Sequence, residues 1–413
     1  MVNHTDHLNA KMLETLAGQY GSSFYLLNSE RFRQNYLELT NAFRAIYPRF
    51  GIAYSYKTNY IPALCKLVDE LGGYAEVVSE MEMNIALRCG VKPEKIIWNG
   101  PVKNAEKTEW LLVNGGTVHV DSLPELQTII AFAPKHPGKT LHIGLRCNFD
   151  VGDGVISRFG IDTQSAEFEK ALALIRGTEG LKLNHLHCHF AKRQAEYWPA
   201  RAKGMLAVVD RVKEALGYLP KRVDLGGGIF GKMPDSLKKQ LGANIPDYQA
   251  YALAAAVPFA EHFKGVENPP ELLVEPGTAL AGDSMKYVCR VAGIKEVRGK
   301  AFATLTGSQK NISMTGVNPP IAVFRTGEGR MYQDLDMVGY TCIESDVLYR
   351  GYTGELAAGD FVVFENCGSY SIVMKPPFIL ENVPVLDICQ DPETPKLIKR
   401  GETFEDVFGT YCF

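Results

Sequence analysis

The chain has 413 residues, of which 46% are hydrophobic and 22% charged, with a formal net charge of −3. That length holds two domains with full cores, and so even a charge balance argues against nucleic acid or an anionic membrane as a partner. No apolar run reaches membrane-spanning length, and Met1–Gln19 lacks a basic-then-apolar leader, while nine scattered cysteines without Cys-x-x-Cys spacing suit a reducing, cytoplasmic setting.

Phe24-Tyr-Leu-Leu reads as a first short strand, and Ser29 as the cap of a helix running to about Ile46. Strand-like runs then fall near 51–56, 74–78, 95–98, 117–120, 141–147, 181–188, 222–225 and 271–274. Between most of them lie amphipathic stretches with capping signals, such as Ser79 before Glu80-Met-Glu-Met and Asp121-Ser-Leu-Pro-Glu. The count and length match a (β/α)₈ barrel, with a doubly wound open sheet as the competing reading. After Glu275 the runs shorten, are separated by Gly, Pro and Asn, and predict a mainly β domain. The expected organisation is an N-terminal segment 1–28 that packs with the β domain, a barrel over 29–280, and a β-rich domain over 281–413.

In a barrel of this kind, chemistry sits where strands end. The run Gly51-Ile-Ala-Tyr-Ser-Tyr-Lys-Thr ends on Lys57, between aromatic neighbours Tyr54 and Tyr56. A partly desolvated amine there is suited to Schiff-base formation with a carbonyl. Gly226-Gly-Gly228 follows the seventh strand, where bare backbone amides accommodate an anion without a Cβ in the way. Gly226, Gly228 and Gly231 also match a dinucleotide fingerprint, but Pro234 argues against the helix that fingerprint must open into. Glu275 ends the eighth strand in a low-dielectric mouth and calls for a cationic partner, which a protonated pyridine nitrogen would be. His185, His187 and His189 alternate along one strand. No acidic or cysteine residue is spaced to complete a metal site with them, so His189 reads as a ring stacked on a cofactor and no metal is expected. Lysine, anion cup, imidazole and carboxylate together describe a site for pyridoxal 5'-phosphate.

These stretches resemble those of the fold-type III pyridoxal-phosphate decarboxylases, the group of diaminopimelate, ornithine and carboxynorspermidine decarboxylases. Tyr54-Ser-Tyr-Lys57 resembles the cofactor-lysine strand, and Glu76-Val-Val-Ser-Glu-Met-Glu82 the segment after the second strand. Ser157-Arg-Phe-Gly-Ile-Asp162, His187-Cys-His189, Asp224-Leu-Gly-Gly-Gly228 and Glu275-Pro-Gly277 follow the family pattern in order. Late in the chain, Cys342-Ile-Glu-Ser-Asp-Val-Leu348 and Gly368-Ser-Tyr370 resemble the family's cysteine signature and its tyrosine phosphate contact.

The resemblance implies an alanine-racemase-like barrel and a homodimer whose sites are shared across the interface. It implies cofactor contacts from Lys57, His189, Gly226, Gly227, Gly228, Glu275, Gly277, Thr278 and Tyr370. Substrate contacts would come from Cys342, Ile343, Asp346 and Tyr370, with Lys57, His189 and Cys342 catalytic. Four departures stand out. Thr278 replaces the arginine usual after Glu-Pro-Gly, and Ala191-Lys192 replaces Gly-Ser, Lys192 being one candidate for the lost charge. Ile343 replaces an acid that reads a distal ammonium, and Asn318 stands before Pro319 where the family has arginine.

The expected reaction is decarboxylation of an α-amino acid, with Cys342 as general acid toward the substrate carbon. Ile343 favours a modified, carboxylate-bearing or carrier-tethered substrate of a specialised pathway such as siderophore biosynthesis. The alternatives are a diaminopimelate- or ornithine-type decarboxylase of core metabolism, an amino-acid racemase, and a non-catalytic binding partner. A carboxylate at Glu275 keeps a pyridine nitrogen protonated and so favours decarboxylation over racemisation.

Overall fold

A computed structural model describes residues 8–242, 244–313 and 317–412 of the chain. The strands are β1 (Phe24–Leu27), β2 (Phe50–Ser55), β3 (Tyr74–Val77), β4 (Ile96–Trp98), β5 (Thr117–Val120), β6 (Leu141–Asn148), β7 (Ile161–Asp162), β8 (Leu181–His187), β9 (Arg222–Asp224) and β10 (Glu271–Val274). Eight of them, β2 to β6 and β8 to β10, pair in parallel, and β10 closes back onto β2 as a (β/α)₈ barrel. Each of the eight predicted barrel strands is present, most within a residue or so of the expected ends. The two-residue β7 adds beside β6.

Parallel strands are covered on both faces, which is why β2 is buried along its whole length. The helices between them start where the caps predict. Ser79 accepts the Glu82 N–H at 3.2 Å, and Glu82 reaches back to the Val78 N–H at 2.8 Å. At the second helix, Ser29–Arg44, the expected cap is corrected. Asn28 accepts the Arg31 N–H at 2.9 Å, while the Ser29 hydroxyl donates to Asp387 at 2.6 Å. Asn is as good a cap as Ser, and the serine is drawn off by a carboxylate from far along the chain.

The remaining strands are β11 (Met285–Val297), β12 (Lys300–Leu305), β13 (Ile321–Phe324), β14 (Arg330–Val338), β15 (Val347–Leu356), β16 (Phe361–Phe364), β17 (Val385–Asp387) and β18 (Lys396–Lys399). They form a separate mixed sheet in the order β15-β14-β12-β11-β1-β17-β18, with β16 and β13 following off β11. The N-terminal strand β1 lies inside this sheet, antiparallel to β11 and parallel to β17. Leu13 and Leu16 of the helix Ala10–Tyr20 pack with Phe24, Leu26, Val288, Phe361, Val363 and Leu386 to form its core.

By compactness the chain divides into two units. One holds Asn35–Phe230 and Asn244–Ala279. The other holds Met1–Gln34, Gly231–Ala243 and Leu280–Phe413, so it also takes a short excursion from between β9 and β10. No helix among the described residues is long and apolar enough to cross a membrane.

Candidate active site

The C-terminal ends of the barrel strands gather most of the residues singled out above. Lys57 lies in the 3₁₀ turn Tyr56–Thr58, just past β2. Its ammonium sits 3.0 Å from Glu76 Oε2, and about a third of the side chain, 35%, is exposed. Its neighbours Tyr54 and Tyr56 are both buried, and the Tyr54 hydroxyl donates to the Asn59 carbonyl at 2.8 Å. Glu76, on β3, is wholly buried and also accepts from the Ser55 hydroxyl at 2.5 Å and from Asn99 Nδ2 at 2.9 Å.

Asn99 follows β4 and joins this carboxylate to the next. The same Nδ2 donates to Glu275 Oε1. Glu275 is 2% exposed and has His187 Nε2 at 3.2 Å. Burial by itself pushes Glu275 upward, but the His187 ring, its hydrogen-bond partners and the Lys57 charge outweigh it and hold the carboxyl well below its usual range. Asp224 shifts the other way, raised by burial and by the charge on Glu275, against the Gly226 N–H it accepts at 2.8 Å. Of the two buried acids, Glu275 therefore carries the negative charge.

His189 lies beyond the end of β8, separate from His185 and His187, which stay inside the barrel. Its Nδ1 accepts the Gly227 N–H at 3.0 Å. Packing of the ring, a third of whose side chain stays exposed, pulls its pKa down to about 4 against the pull of Glu275, so the imidazole is neutral. A neutral ring with an accepting Nδ1 cannot also donate to Glu275 Oε2 at 3.5 Å, so that contact is proximity and not an ion pair.

The glycine turn is shaped for close approach. A methyl group at Gly227 would lie 2.6 Å from the Glu275 carbonyl oxygen, and Gly226 has φ +72° with its missing Cβ directed at the Cys188 carbonyl. The chain does not turn straight into a helix after Gly231; the next one, Asp235–Gln240, starts only after Pro234. That removes the dinucleotide reading. Gly277 is equally confined, since a Cβ there would fall 1.9 Å from the Thr58 hydroxyl, and Thr278 opens the short helix that follows.

One functional side chain escaped the sequence reading. Arg201, on the helix Trp198–Leu216, is fully buried beneath the glycine turn. Its guanidinium donates to the carbonyls of Gly227 at 2.8 Å, Leu225 at 3.1 Å and Lys192 at 3.3 Å, and it lies 4.4 Å from the Trp198 ring. Burial lowers its pKa, yet an arginine starts high enough to stay charged. The available signal was a lone arginine on the apolar face of an amphipathic helix.

The expectation that no acidic residue meets the histidines is corrected: His119, His187 and Glu275 bring ligand atoms within 4.8 Å of one another, because the fold brings together strands far apart in sequence. The oxygens of Glu275 already meet Asn99 and His187, the surroundings of a carboxylate that holds a protonated ring nitrogen. A bare glycine cup over a buried cation, a half-buried lysine and a buried anionic carboxylate fit pyridoxal phosphate.

The other expected residues belong to the β unit. Cys342 and Ile343 are exposed on the loop between β14 and β15. Asp346 is buried, and its carboxylate accepts from the Thr341 hydroxyl at 2.6 Å, the Gln309 N–H at 2.7 Å and the Ser308 hydroxyl at 3.0 Å. It is spent on shaping the loop that presents Cys342. Tyr370 is half-exposed in a left-handed conformation, φ +60°, after Gly368, whose N–H donates to the Gly282 carbonyl at 3.0 Å.

A closed parallel barrel with these groups at its mouth, joined to a mixed sheet that takes back the N-terminal strand, defines the class of pyridoxal-phosphate enzymes with the alanine-racemase-like fold. Within that class the chain belongs to the pyridoxal-dependent decarboxylases: the sequence model of the family's pyridoxal binding domain matches residues 33–282. It is accordingly a pyridoxal-phosphate-dependent carboxy-lyase. It is 26% identical to the diaminopimelate decarboxylase of Methanothermobacter thermautotrophicus, over 98% of this chain and 96% of that one. It is 25% identical to that of Aquifex aeolicus, over 96% and 93%. Among solved structures, diaminopimelate decarboxylase from M. jannaschii superposes with a TM-score of 0.85 at 24% identity, covering 97% of this chain and 94% of that one. At these identities the structural likeness speaks to the fold.

Proposed function

We propose that the protein decarboxylates a diamino acid of the diaminopimelate type in core amino-acid metabolism. The supporting observation is the resemblance, end to end, to proteins named diaminopimelate decarboxylase. The reading as a siderophore-pathway enzyme with a tethered substrate rests on Ile343 alone, an apolar, 43% exposed side chain where an acid would grip a bare ammonium. Diaminopimelate ends in an amino-acid group, so its distal ammonium carries a carboxylate beside it and places less demand on that position.

Bound pyridoxal phosphate supplies an electron sink for the pair released as carbon dioxide leaves the α-carbon. The chain's residues divide the rest of the work. Lys57 Nζ is the amine that holds the cofactor aldehyde, and Glu76 keeps it at the mouth. Glu275, anionic and dry, keeps a proton on the pyridine nitrogen. His189 offers a neutral ring face, and the phosphate would be held at the glycine turn, where the Gly226 and Gly227 N–H groups are engaged by Asp224 and His189 and the Gly228 N–H would serve it, with Arg201 bracing the turn from below. Lys192 and Arg193, whose backbone lies beside Gly228, would supply further phosphate contacts in place of the arginine missing at Thr278. Cys342 Sγ delivers the proton to the α-carbon, in the site of the partner subunit of a homodimer.

The test is carbon dioxide release from meso-diaminopimelate, lysine, ornithine and N-acylated diamino acids. Turnover of diaminopimelate well above the others is expected; preference for an acylated substrate would overturn the core-metabolism reading. For the dimer, mixing Lys57→Ala and Cys342→Ala variants recovers activity that neither has alone. No recovery on mixing would sink the shared site.

A further inference from the structure

A hydrogen-bonded row crosses the barrel interior beneath the catalytic mouth. Four adjacent strands supply it in register: His119 on β5 faces Gly144 on β6, Gly144 faces His185 on β8, and His185 faces Arg222 on β9. Gly144 is what lets the two imidazoles meet, because a Cβ there would fall 2.3 Å from His119 Cδ2 and 2.8 Å from the Cβ of His185. Arg222 Nη1 lies 2.7 Å from His185 Nε2, His185 Nδ1 lies 3.4 Å from His119 Nε2, and His119 Nδ1 lies 2.5 Å from Asn99 Oδ1. Asn99 Nδ2 then reaches Glu76 at 2.9 Å and also Glu275.

The two ends of this row allow a single answer for everything between. A guanidinium only donates, so His185 Nε2 accepts and its proton is on Nδ1. That proton points at His119 Nε2, which must accept, so His119 also carries its proton on Nδ1. The amide oxygen of Asn99 takes that proton's hydrogen bond, and its NH₂ group is left facing two carboxylates, which only accept. Reading back from the carboxylates gives the same assignment. A doubly protonated imidazole at either position would place donor against donor. In agreement, burial drives both His119 and His185 well below the usual histidine range, with Arg222 adding to it at His185.

We infer that Arg222 is a positioning residue at the far end of the row: it sets the tautomer of His185, while the carboxylates at the other end orient Asn99 and, through it, His119. It is itself held by Glu271, 3.0 Å from its Nε, which the Tyr74 hydroxyl also contacts at 3.0 Å. The consequence for function is that Glu275 and Glu76 receive N–H donors that are fixed and uncharged. Glu275 keeps its charge for the cofactor nitrogen, and the row adds no competing cation next to it. The inference rests on Glu275 and Glu76 as the working carboxylates, and it is independent of which amino acid is decarboxylated.

The experiment reads tautomers directly in the cofactor-free protein, by nitrogen-15 NMR of labelled histidine with assignments from His119→Gln and His185→Gln. Both rings are expected with a protonated Nδ1 and a bare Nε2. An Nε2–H tautomer or an imidazolium at either ring near neutral pH would overturn the assignment, whatever the enzyme's substrate proves to be. In Arg222→Met, His185 is left with contacts of 3.4 Å to His119 and 3.5 Å to Thr117 and is expected to become a tautomer mixture, and Arg222→Lys to restore the single form. If Arg222→Met leaves the His185 tautomer as in the wild type, Arg222 does not set it and the inference fails. Should Arg222→Met not fold, Arg222→Gln, whose amide can accept as well as donate, takes its place, and an unchanged single form of His185 there would count against it equally.

Discussion

Replacing Arg201 by methionine tests whether the glycine cup is built by the cation beneath it. Methionine fills similar volume, so the loss is confined to polar groups. The guanidinium serves the Gly227 carbonyl at 2.8 Å and the Leu225 carbonyl at 3.1 Å, with a longer bond of 3.3 Å to Lys192. A buried carbonyl left without a donor costs about 1–3 kcal/mol. Two of them cost about 2–6 kcal/mol, part of which is regained because a buried cation no longer has to be desolvated. A net loss of about 3 kcal/mol corresponds to a fall in Tm of about 6–12 °C for a domain of roughly this size. Thermal unfolding of the cofactor-free protein measures the stability, and titration with pyridoxal phosphate measures the cup. Binding is expected to weaken more than tenfold, and Arg201→Lys to recover little, because an ammonium cannot reach several carbonyls with a planar fork. A variant that melts within about 2 °C of the wild type and retains its cofactor would refute the reasoning.

Gly227→Ala separates contact from conformation, since its backbone needs no positive φ and yet a Cβ meets the Glu275 carbonyl at 2.6 Å. A cost of about 1–3 kcal/mol and weaker cofactor binding are expected, whereas Gly18→Ala, in a helix with open space around it, gains about 0.5–1 kcal/mol; denaturant unfolding compares the two. Glu275→Gln keeps the shape but not the charge, so it retains cofactor while kcat drops by about 10²–10³; single-turnover decarboxylation at a rate near the wild type would contradict its role. Acidification acts through the buried histidines. His119 and His185 stay neutral when folded but charge when unfolded, so their contribution is fully present above the unfolded value near 6.5 and declines as pH falls below it. Glu82, pushed up to about 7 by burial, and Asp224 oppose this over part of the same range. The informative quantity is therefore the difference curve between wild type and His119→Gln, which should lose up to about 1.4 kcal/mol per pH unit of acid destabilisation.

The barrel was legible because its strands are short apolar runs separated by well-capped amphipathic helices, and local periodicity carries that information. The β unit was only partly so. β14 and β15 are exposed along much of their length, and β1 joins its sheet through partners more than 250 residues away, which no window of sequence registers. Of the site, the sequence by itself determined which residues stand at strand ends: Lys57, His189, the glycine triplet and Glu275. The surroundings that give those residues their chemistry were decided only by the pairing and closing of the barrel strands. They set Glu76 against Lys57, placed Arg201 under the glycine turn, and aligned Asn99, His119, His185 and Arg222 into one row. A charge or a hydrogen bond acts through space, over a few ångströms, and the sequence orders residues only along the chain.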